Sequence, residues 1–587
     1  LKCDQEEAFS NLTNVEALLC IWKNREEKIE KLRSISKRRL TSGSALITGP
    51  FEVLGLASSP AENLALARAK AKAIKNEVAP LATFSTAHKR QLSRHCRLRI
   101  GYASPDFRNH AVSHLIAPIF SCHDRERFEI FCYAYSPDDG SDYRQRIRQE
   151  SEHFVDISTM TALEQARRIF EDKLDILIDL AGYSVGGRPE IFALRPAPIQ
   201  ISYLGYAATM GADFIDYIIA DECVIPEEHQ SHYEEKVRYL PDCFMVTDNQ
   251  QSIDDIPPSR EEEGLPENAT VFCAFNACYK IQPRIFGTWM NILKAVPGSV
   301  LWLKFKPKQA LENLKKEAEA CGVEPDRLIF AEHKTSKSAH LARHRLADLF
   351  LDTDTYNAHA TAVDALWAGL PVLTCMGKSF ISRVAASHLK SLGMEELACH
   401  TLAEYQRKAI QLARSPEEIE KLKAFLEKRK RSSALFDSAR FTKNFEILLE
   451  RIWREHKPSP EINLEPSNTL PPGNKQPSKR NGRVAVIVRT KNRSLFLRRA
   501  IGSVVNQTFQ DWTLVVVNDG GDSEEVEKLL SDIRWMYPDQ IAAIHNSTSI
   551  GMQNASNRAI QACDSEFIVI HDDDDSWHPE FLNTTVG

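Results

Sequence analysis

From Arg97 to about Val246, short apolar runs alternate with amphipathic stretches, and this rhythm limits the possible folds more than any other feature. "RLRIGYAS", "FEIFCYAY", "LDILIDL", "PIQISYLG" and "DYIIAD" each have the length of a short strand, and "TALEQARRIFEDK" between them has helical spacing. Strands alternating with helices make βα units, which assemble into a parallel sheet. A polar, Pro-rich break, "DNQQSIDDIPPSREEEGLPENA", interrupts the rhythm. It restarts with "TVFCAFNA", "VLWLKF", "RLIFAE", "LADLFLDT" and "PVLTC" and closes in long helices through Trp453. Two doubly wound halves in succession predict a ligand cleft between their carboxyl edges.

The chain's 587 residues also exceed the roughly 250–300 at which a single core stops growing. Residues 1–95 read as a helical N-terminal segment, whose plain role is packing. Within it "SPAENLALARAKAKAIKNEV" has Ser59 as N-cap, Pro60 at the first helical position and Glu62 in the first turn. The two α/β halves span 96–250 and 265–455. Residues 456–482, rich in Pro, Ser and Asn, read as a linker. A third α/β unit occupies 483–587, with strands at "RVAVIVRT", "DWTLVVVNDGG", "QIAAIHN" and "EFIVI".

A net charge of −6 with scattered Lys and Arg gives no nucleic-acid footprint. The longest apolar runs, such as "LDILIDLAGY", are too short to span a bilayer. Thirteen cysteines, without a CxxC pair or zinc spacing, read as free thiols of a reducing cytoplasm. The opening "LKCDQEEAFSNL" has no signal-peptide pattern, and a start on Leu reads as a fragment edge.

Chemistry concentrates in "LADLFLDTDTYNAHATAVDALWAGLPVLT". A strand ending near Asp352 leads through a loop to a helix from about His359 to Trp367, closed by Gly369 with Pro371 beyond. His359 and Thr361 therefore sit at a helix N-terminus on a sheet's carboxyl edge, a ready phosphate site, and Asp364 one turn on can accept a ribose hydroxyl. An ordinary capped helix explains the spacing equally well. Lys280, past the strand in "VFCAFNACYKIQPRIF", would face the same cleft and neutralise a leaving diphosphate. His110 and His114, four apart after "RLRIGYAS", are structural histidines by default; one at a strand end can serve as a general base.

Together "IGYASPDFRNHAVSHL", "FALRPAPIQISYLGYAATMGADFIDYIIAD", "FNACYKIQP", "LWLKF", "LADLFLDTDTYNAHATAVDALWAG" and "SRVAASHL" resemble, in order, the catalytic region of the O-GlcNAc transferase and SPINDLY-like family, glycosyltransferase family 41. The resemblance covers roughly Pro50 to Trp453. It implies a GT-B fold and a metal-independent, inverting transferase whose C-terminal half binds a UDP-sugar. By the same resemblance Lys280 matches the catalytic lysine, and His359, Thr361 and Asp364 match the phosphate and ribose residues. Lys337, His340 and Arg343 match the segment framing the uracil, and His110 matches a histidine proposed as base. Ala360 stands where the animal enzymes have a second threonine, and Ala277 where they have glutamine. Each change removes a polar contact worth about 1 kcal/mol. "NAHATAVD" keeps the helix start at which plant SPINDLY proteins diverge, which favours UDP-GlcNAc or another UDP-hexose over GDP-fucose.

Four aspartates, Asp572 to Asp575, follow the apolar run "EFIVI". An acidic loop is usually solvated charge, but carboxylates stacked at the end of a buried strand are costly unless a cation shares them. This third unit resembles the GT-A fold of glycosyltransferase family 2. The resemblance implies that Asp519 contacts the nucleotide and that Arg558 lies near it. It also implies that Asp573, Asp574 and Asp575 hold Mn²⁺ or Mg²⁺ and a diphosphate once the domain is complete. About a hundred residues of that domain are present, so a truncated second transferase is expected.

The expected function is sugar transfer, GlcNAc foremost, from a UDP donor to protein Ser or Thr. Transfer to Asn or to a glycan, and a non-catalytic nucleotide-sugar scaffold or sensor, remain open. The expected partners are the donor and a protein acceptor, with tetratricopeptide repeats possible upstream of Leu1.

Overall fold

The computed structural model describes residues 2–56, 59–79, 97–304, 307–456, 482–505, 507–534, 537, 540–573, 577 and 580–586. Nearly all of the expected linker, and Asp574 and Asp575, lie outside the described residues. The chain divides into two compact units, Leu1–Ser459 and Pro460–Gly587. Among the described residues no helix is long and apolar enough to cross a membrane.

The first unit holds two parallel sheets. In the first are β1 (Leu98–Ser104), β2 (Phe128–Ala134), β3 (His153–Asp156), β4 (Ile176–Asp179), β5 (Ile199–Ser202), β6 (Tyr217–Ala220) and β7 (Lys236–Tyr239), ordered β3-β2-β1-β4-β5-β6-β7. The second has β8 (Val271–Ala274), β9 (Val300–Lys304), β10 (Leu328–Ala331), β11 (Leu349–Leu351), β12 (Val372–Cys375) and β13 (Ala398–Cys399), ordered β10-β9-β8-β11-β12-β13. Central strands such as β4 and β8 are buried throughout, which explains their unbroken apolar runs. The sequence reading did not name β3, β7 or β13. All three are edge strands, and "HFVD" and "KVRY" are half exposed and carry no apolar run.

Strand order reverses between β1 and β4 and between β8 and β11, the switch points where open α/β sheets bind ligands. The helix Ser438–His456 returns to the first half. There Glu446 accepts from His123 Nδ1 at 2.9 Å, and His123 Nε2 pairs with the Tyr102 hydroxyl at 2.8 Å. Ser387 of the second half donates to Asp221 of the first at 2.6 Å.

The N-terminal helices Arg25–Ser42 and Pro60–Val78 belong to this unit. Ser59 and Glu62 form a reciprocal capping box, with bonds of 3.2 and 2.8 Å. Lys75 pairs with Asp213 of the first half, and Gln282 of the second half donates to the Gly55 carbonyl at 2.6 Å. The segment therefore packs against both halves.

The second unit is one parallel sheet of β14 (Val484–Thr490), β15 (Trp512–Asp519), β16 (Ile541–Asn546) and β17 (Phe567–Asp572), ordered β16-β15-β14-β17. The "EFIVI" run, expected to be a buried strand, is largely exposed. β17 is an edge strand, and Phe567, Ile568 and Ile570 are 37%, 40% and 46% exposed. Among the described residues β17 pairs with β14 alone, and apolarity by itself does not distinguish an edge from a centre.

Candidate active site

The second half builds most of the site from loops that leave strand ends. Asp352, directly after β11, is fully buried. It accepts bonds from Ala358 N at 2.6 Å, Thr353 N at 2.7 Å, Thr374 Oγ1 at 2.7 Å and Asn276 Nδ2 at 3.1 Å. Burial pushes its carboxyl up to about 6 even though these donors and Lys280 oppose the shift. Asp352 thus folds residues 353–358 into a fixed loop that delivers the helix Ala360–Trp367 to the sheet edge. Gly369 closes that helix at φ +88°, with Leu370 N bonded to the Ala365 carbonyl at 2.9 Å, as the Gly–Leu–Pro sequence predicts.

A cavity of about 420 Å³ opens between the halves at this helix start. Asn109, His110 and His114 come from the first half, facing Lys304, Lys337, His340, Arg343, Thr361 and Asp364 of the second. Five residues expected at the donor site, Lys337, His340, Arg343, Thr361 and Asp364, therefore share one space with His110, the residue expected as base. Lys280 and His359 do not line this cavity, although His359 directly precedes its lining residue Ala360.

Each of these side chains has a defined environment. Lys337 Nζ lies 2.6 Å from Asp364 Oδ2. Burial, with His344, Lys337 and Arg343 nearby, keeps His340 neutral, and its ring lies 5.8 Å from that of Phe275. Arg343 is 2% exposed and donates to the Glu332 carbonyl at 2.7 Å, while its Nε and Nη2 have no hydrogen-bond partner among the described residues. His359 is likewise neutral through burial and the neighbouring Lys280, and its Nε2 donates to the Ile381 carbonyl at 3.2 Å. Lys280 is 8% exposed and donates to the Asn357 carbonyl at 2.8 Å. Burial, only partly offset by Asp352, lowers it to about 7.

On the facing wall His110 is the N-cap of the helix Ala111–Cys122, its Nδ1 accepting from Val112 N at 3.3 Å. The same nitrogen is 3.4 Å from the buried carboxylate of Asp106. His114 holds the Asn109 side chain at 2.8 Å, and burial lowers it to about 4. The sequence reading did not name Asn109, Phe275, Lys304 or Lys334, all of which line the cavity. The available signal for Lys304 was a charge at the carboxyl end of an apolar strand, "VLWLK".

In the second unit Asp519 is engaged by the protein itself, accepting from Asn546, Ser549, Ile550 N and Gly551 N at 2.8 to 3.1 Å. Burial pushes its carboxyl up, but these four donors outweigh it and bring it down to about 2. Arg558 donates to the Asn546 side chain, joining the same network. Asp573 accepts from Thr490 Oγ1 and Arg493 Nη1, both at 3.0 Å, and Asp572 pairs with Arg489. Of the three expected metal ligands only Asp573 is described, and protein donors hold both its oxygens, an arrangement that does not fit a metal ligand. Glu129, Glu152 and His153 also gather on the first sheet, but Arg97 and Arg99 already pair with the two glutamates.

Residues 19–257 and 252–445 match glycosyl transferase family 41, and residues 485–587 match glycosyl transferase family 2. A probable UDP-N-acetylglucosamine–peptide N-acetylglucosaminyltransferase SEC of Arabidopsis thaliana is 38% identical over 449 residues, 75% of this chain and 46% of that protein. A UDP-N-acetylglucosamine–peptide N-acetylglucosaminyltransferase of Caenorhabditis elegans is 31% identical over 571 residues, covering 78% and 50%. The chain thus spans about half the length of these curated relatives. A mutant of the Thermobaculum terrenum O-GlcNAc transferase has a similar structure, with TM-score 0.65 and 26% identity over 77% of this chain and 84% of that one. The paired sheets, the cleft between their carboxyl edges and these matches agree: the chain belongs to glycosyltransferase family 41, with a GT-B fold followed by a family 2 glycosyltransferase segment.

Proposed function

We propose that the first unit is an inverting glycosyltransferase that moves GlcNAc from UDP-GlcNAc to a Ser or Thr hydroxyl of a protein, without a metal. The observation that carries this reading is the cavity shared by both halves, basic on its second-half side and bordered by a helix start. The nucleotide half is where Phe275, His340 and Arg343 gather: a neutral imidazole and an aromatic ring suit a base, and the two unpartnered Arg343 nitrogens suit its carbonyls. Asp364 and Lys337 suit the ribose hydroxyls.

In the reaction the acceptor oxygen attacks the anomeric carbon as the bond to the diphosphate oxygen breaks on the opposite face. The acceptor's proton passes to a base, a role supported for His110 by its position in the cavity lining, and the electron pair leaves with UDP. Charge growing on the diphosphate is met by the Lys280 ammonium and by first-turn N–H groups of the helix Ala360–Trp367. These fixed donors supply the stabilisation that a divalent ion would otherwise provide. The test is turnover of UDP-GlcNAc with a protein acceptor, read by mass spectrometry of the modified residue. Hydrolysis or transfer of another UDP-hexose in preference to GlcNAc would overturn the sugar assignment, and modification at Asn would overturn the acceptor.

A further inference from the structure

Lys280 is buried, and among the described residues no carboxylate is in salt-bridge contact with it. Among the described residues its contacts are the Asn357 carbonyl at 2.8 Å and the face of the Tyr356 ring, whose centroid is 4.0 Å from Nζ. Among the described residues Asp352, Lys304 and His359 also face it from neighbouring elements. Asp352, at the end of β11, favours the ammonium, but both its oxygens already accept bonds from neutral groups. Lys304, at the end of β9, opposes it, and His359 at the helix start is neutral. A desolvated cation so placed is costly unless something near it carries complementary charge, and an aromatic face does so through its quadrupole.

The ring is itself fixed. It meets Tyr279 edge-on at 5.9 Å and His359 at 5.0 Å, and the Tyr356 carbonyl accepts from Thr353 Oγ1 at 2.6 Å. Two consecutive residues of the Asp352-held loop thus present a π face and a carbonyl to the same ammonium. We propose that Tyr356 is a positioning residue, whose ring keeps Lys280 charged and aimed before the diphosphate arrives. The inference rests on the reading of Lys280 as the group that meets the diphosphate. Burial, only partly offset by Asp352, lowers Lys280 to about 7, so the ring's contribution falls where activity can report it.

The experiment compares the full chain with Tyr356→Leu, Tyr356→Phe and Lys280→Met. UDP binding is measured by calorimetry in buffers of different ionisation enthalpy, and kcat/KM for UDP-GlcNAc is measured against pH. The active form carries the protonated lysine, so kcat/KM falls as pH rises through the free-enzyme lysine value. Loss of the ring moves this basic limb to lower pH by roughly half a unit to one and a half units. At pH 7.5 UDP binding takes up more protons per mole in Tyr356→Leu than in the wild type, Tyr356→Phe matches the wild type, and Lys280→Met takes up none at this site. Cooperative thermal unfolding in each variant identifies folded protein. A Tyr356→Leu limb and proton count equal to the wild type overturn the proposal, as does a Tyr356→Phe variant that behaves like Leu. Failure of UDP to bind the wild-type chain overturns the nucleotide-sugar reading itself, a different result from normal UDP binding with unchanged proton uptake.

Discussion

Lys337 and Asp364 meet at 2.6 Å on the cleft wall, joining the helix Lys337–Arg343 to the helix Ala360–Trp367. Their side chains are 20% and 12% exposed, so solvent screens the pair only in part. The pair sets the two helices at a fixed separation and offers a neighbouring donor and acceptor to one ligand. Asp364→Asn and Lys337→Met should each weaken UDP binding by about tenfold, as expected for one lost charge-assisted hydrogen bond. Because the partners share one contact, the double variant should lose less than the product of the two. Calorimetric titration with UDP measures all three.

Replacement of Lys280 by Met should leave KM for the donor within a few-fold and lower kcat by about a hundredfold or more. That split is expected of a donor whose value lies mainly in stabilising charge that develops in the transition state. Steady-state kinetics at saturating acceptor reads it directly.

Turnover should persist in excess EDTA and should be unchanged by Asp573→Asn. The donors assigned to the diphosphate in the first unit are Lys280 and backbone N–H groups, none of which depends on a divalent ion. A rate that collapses on chelation and returns with Mn²⁺ would contradict the assignment.

Asp352→Ala should destabilise the first unit by about 3 kcal/mol or more, because Ala358 N, Thr353 N and the Thr374 and Asn276 side chains all lose a buried acceptor. Asp352→Asn keeps one acceptor oxygen and should cost less. Urea unfolding of the two variants against the wild type tests the order.

Asp519 predicts acid sensitivity in the second unit. Its folded value is depressed, so its contribution is complete above the ordinary carboxyl value near 3.8 and disappears as pH falls towards about 2. The stability difference between wild type and Asp519→Asn should therefore shrink between about pH 4 and pH 2. Pepsin cleavage of the second unit within the full chain, followed across that range, measures the difference.

Much of the first unit was legible because its signals are local. A buried parallel strand must be apolar on both faces, so "VFCA" and "LDILID" announce themselves, and the stop of the helix Ala360–Trp367 follows from Gly369 and Pro371. The edge strands β3 and β7 were not legible, because a strand bonded on one side needs no such run. In the site, recognisable motifs supplied His110, Lys337, His340, Arg343, Thr361 and Asp364. Lys304 and Lys334 were missed, since a single lysine after a strand looks like any solvated lysine until the partner half closes over it.

By itself the sequence determined the alternation of strands and helices, the two successive sheets, the capped helices and the family, all of which depend on residue order over short or collinear stretches. Only the tertiary structure decided which residues face each other across the cleft. It also showed that Asp352 organises the loop leading to the helix start, that β17 is an exposed edge, and that Tyr356 rather than a carboxylate lies against Lys280. The reason is that burial and charge environment are set by groups distant in the chain. Lys280 and Tyr356 are separated by seventy-six positions, 356 − 280, and no local pattern encodes their meeting.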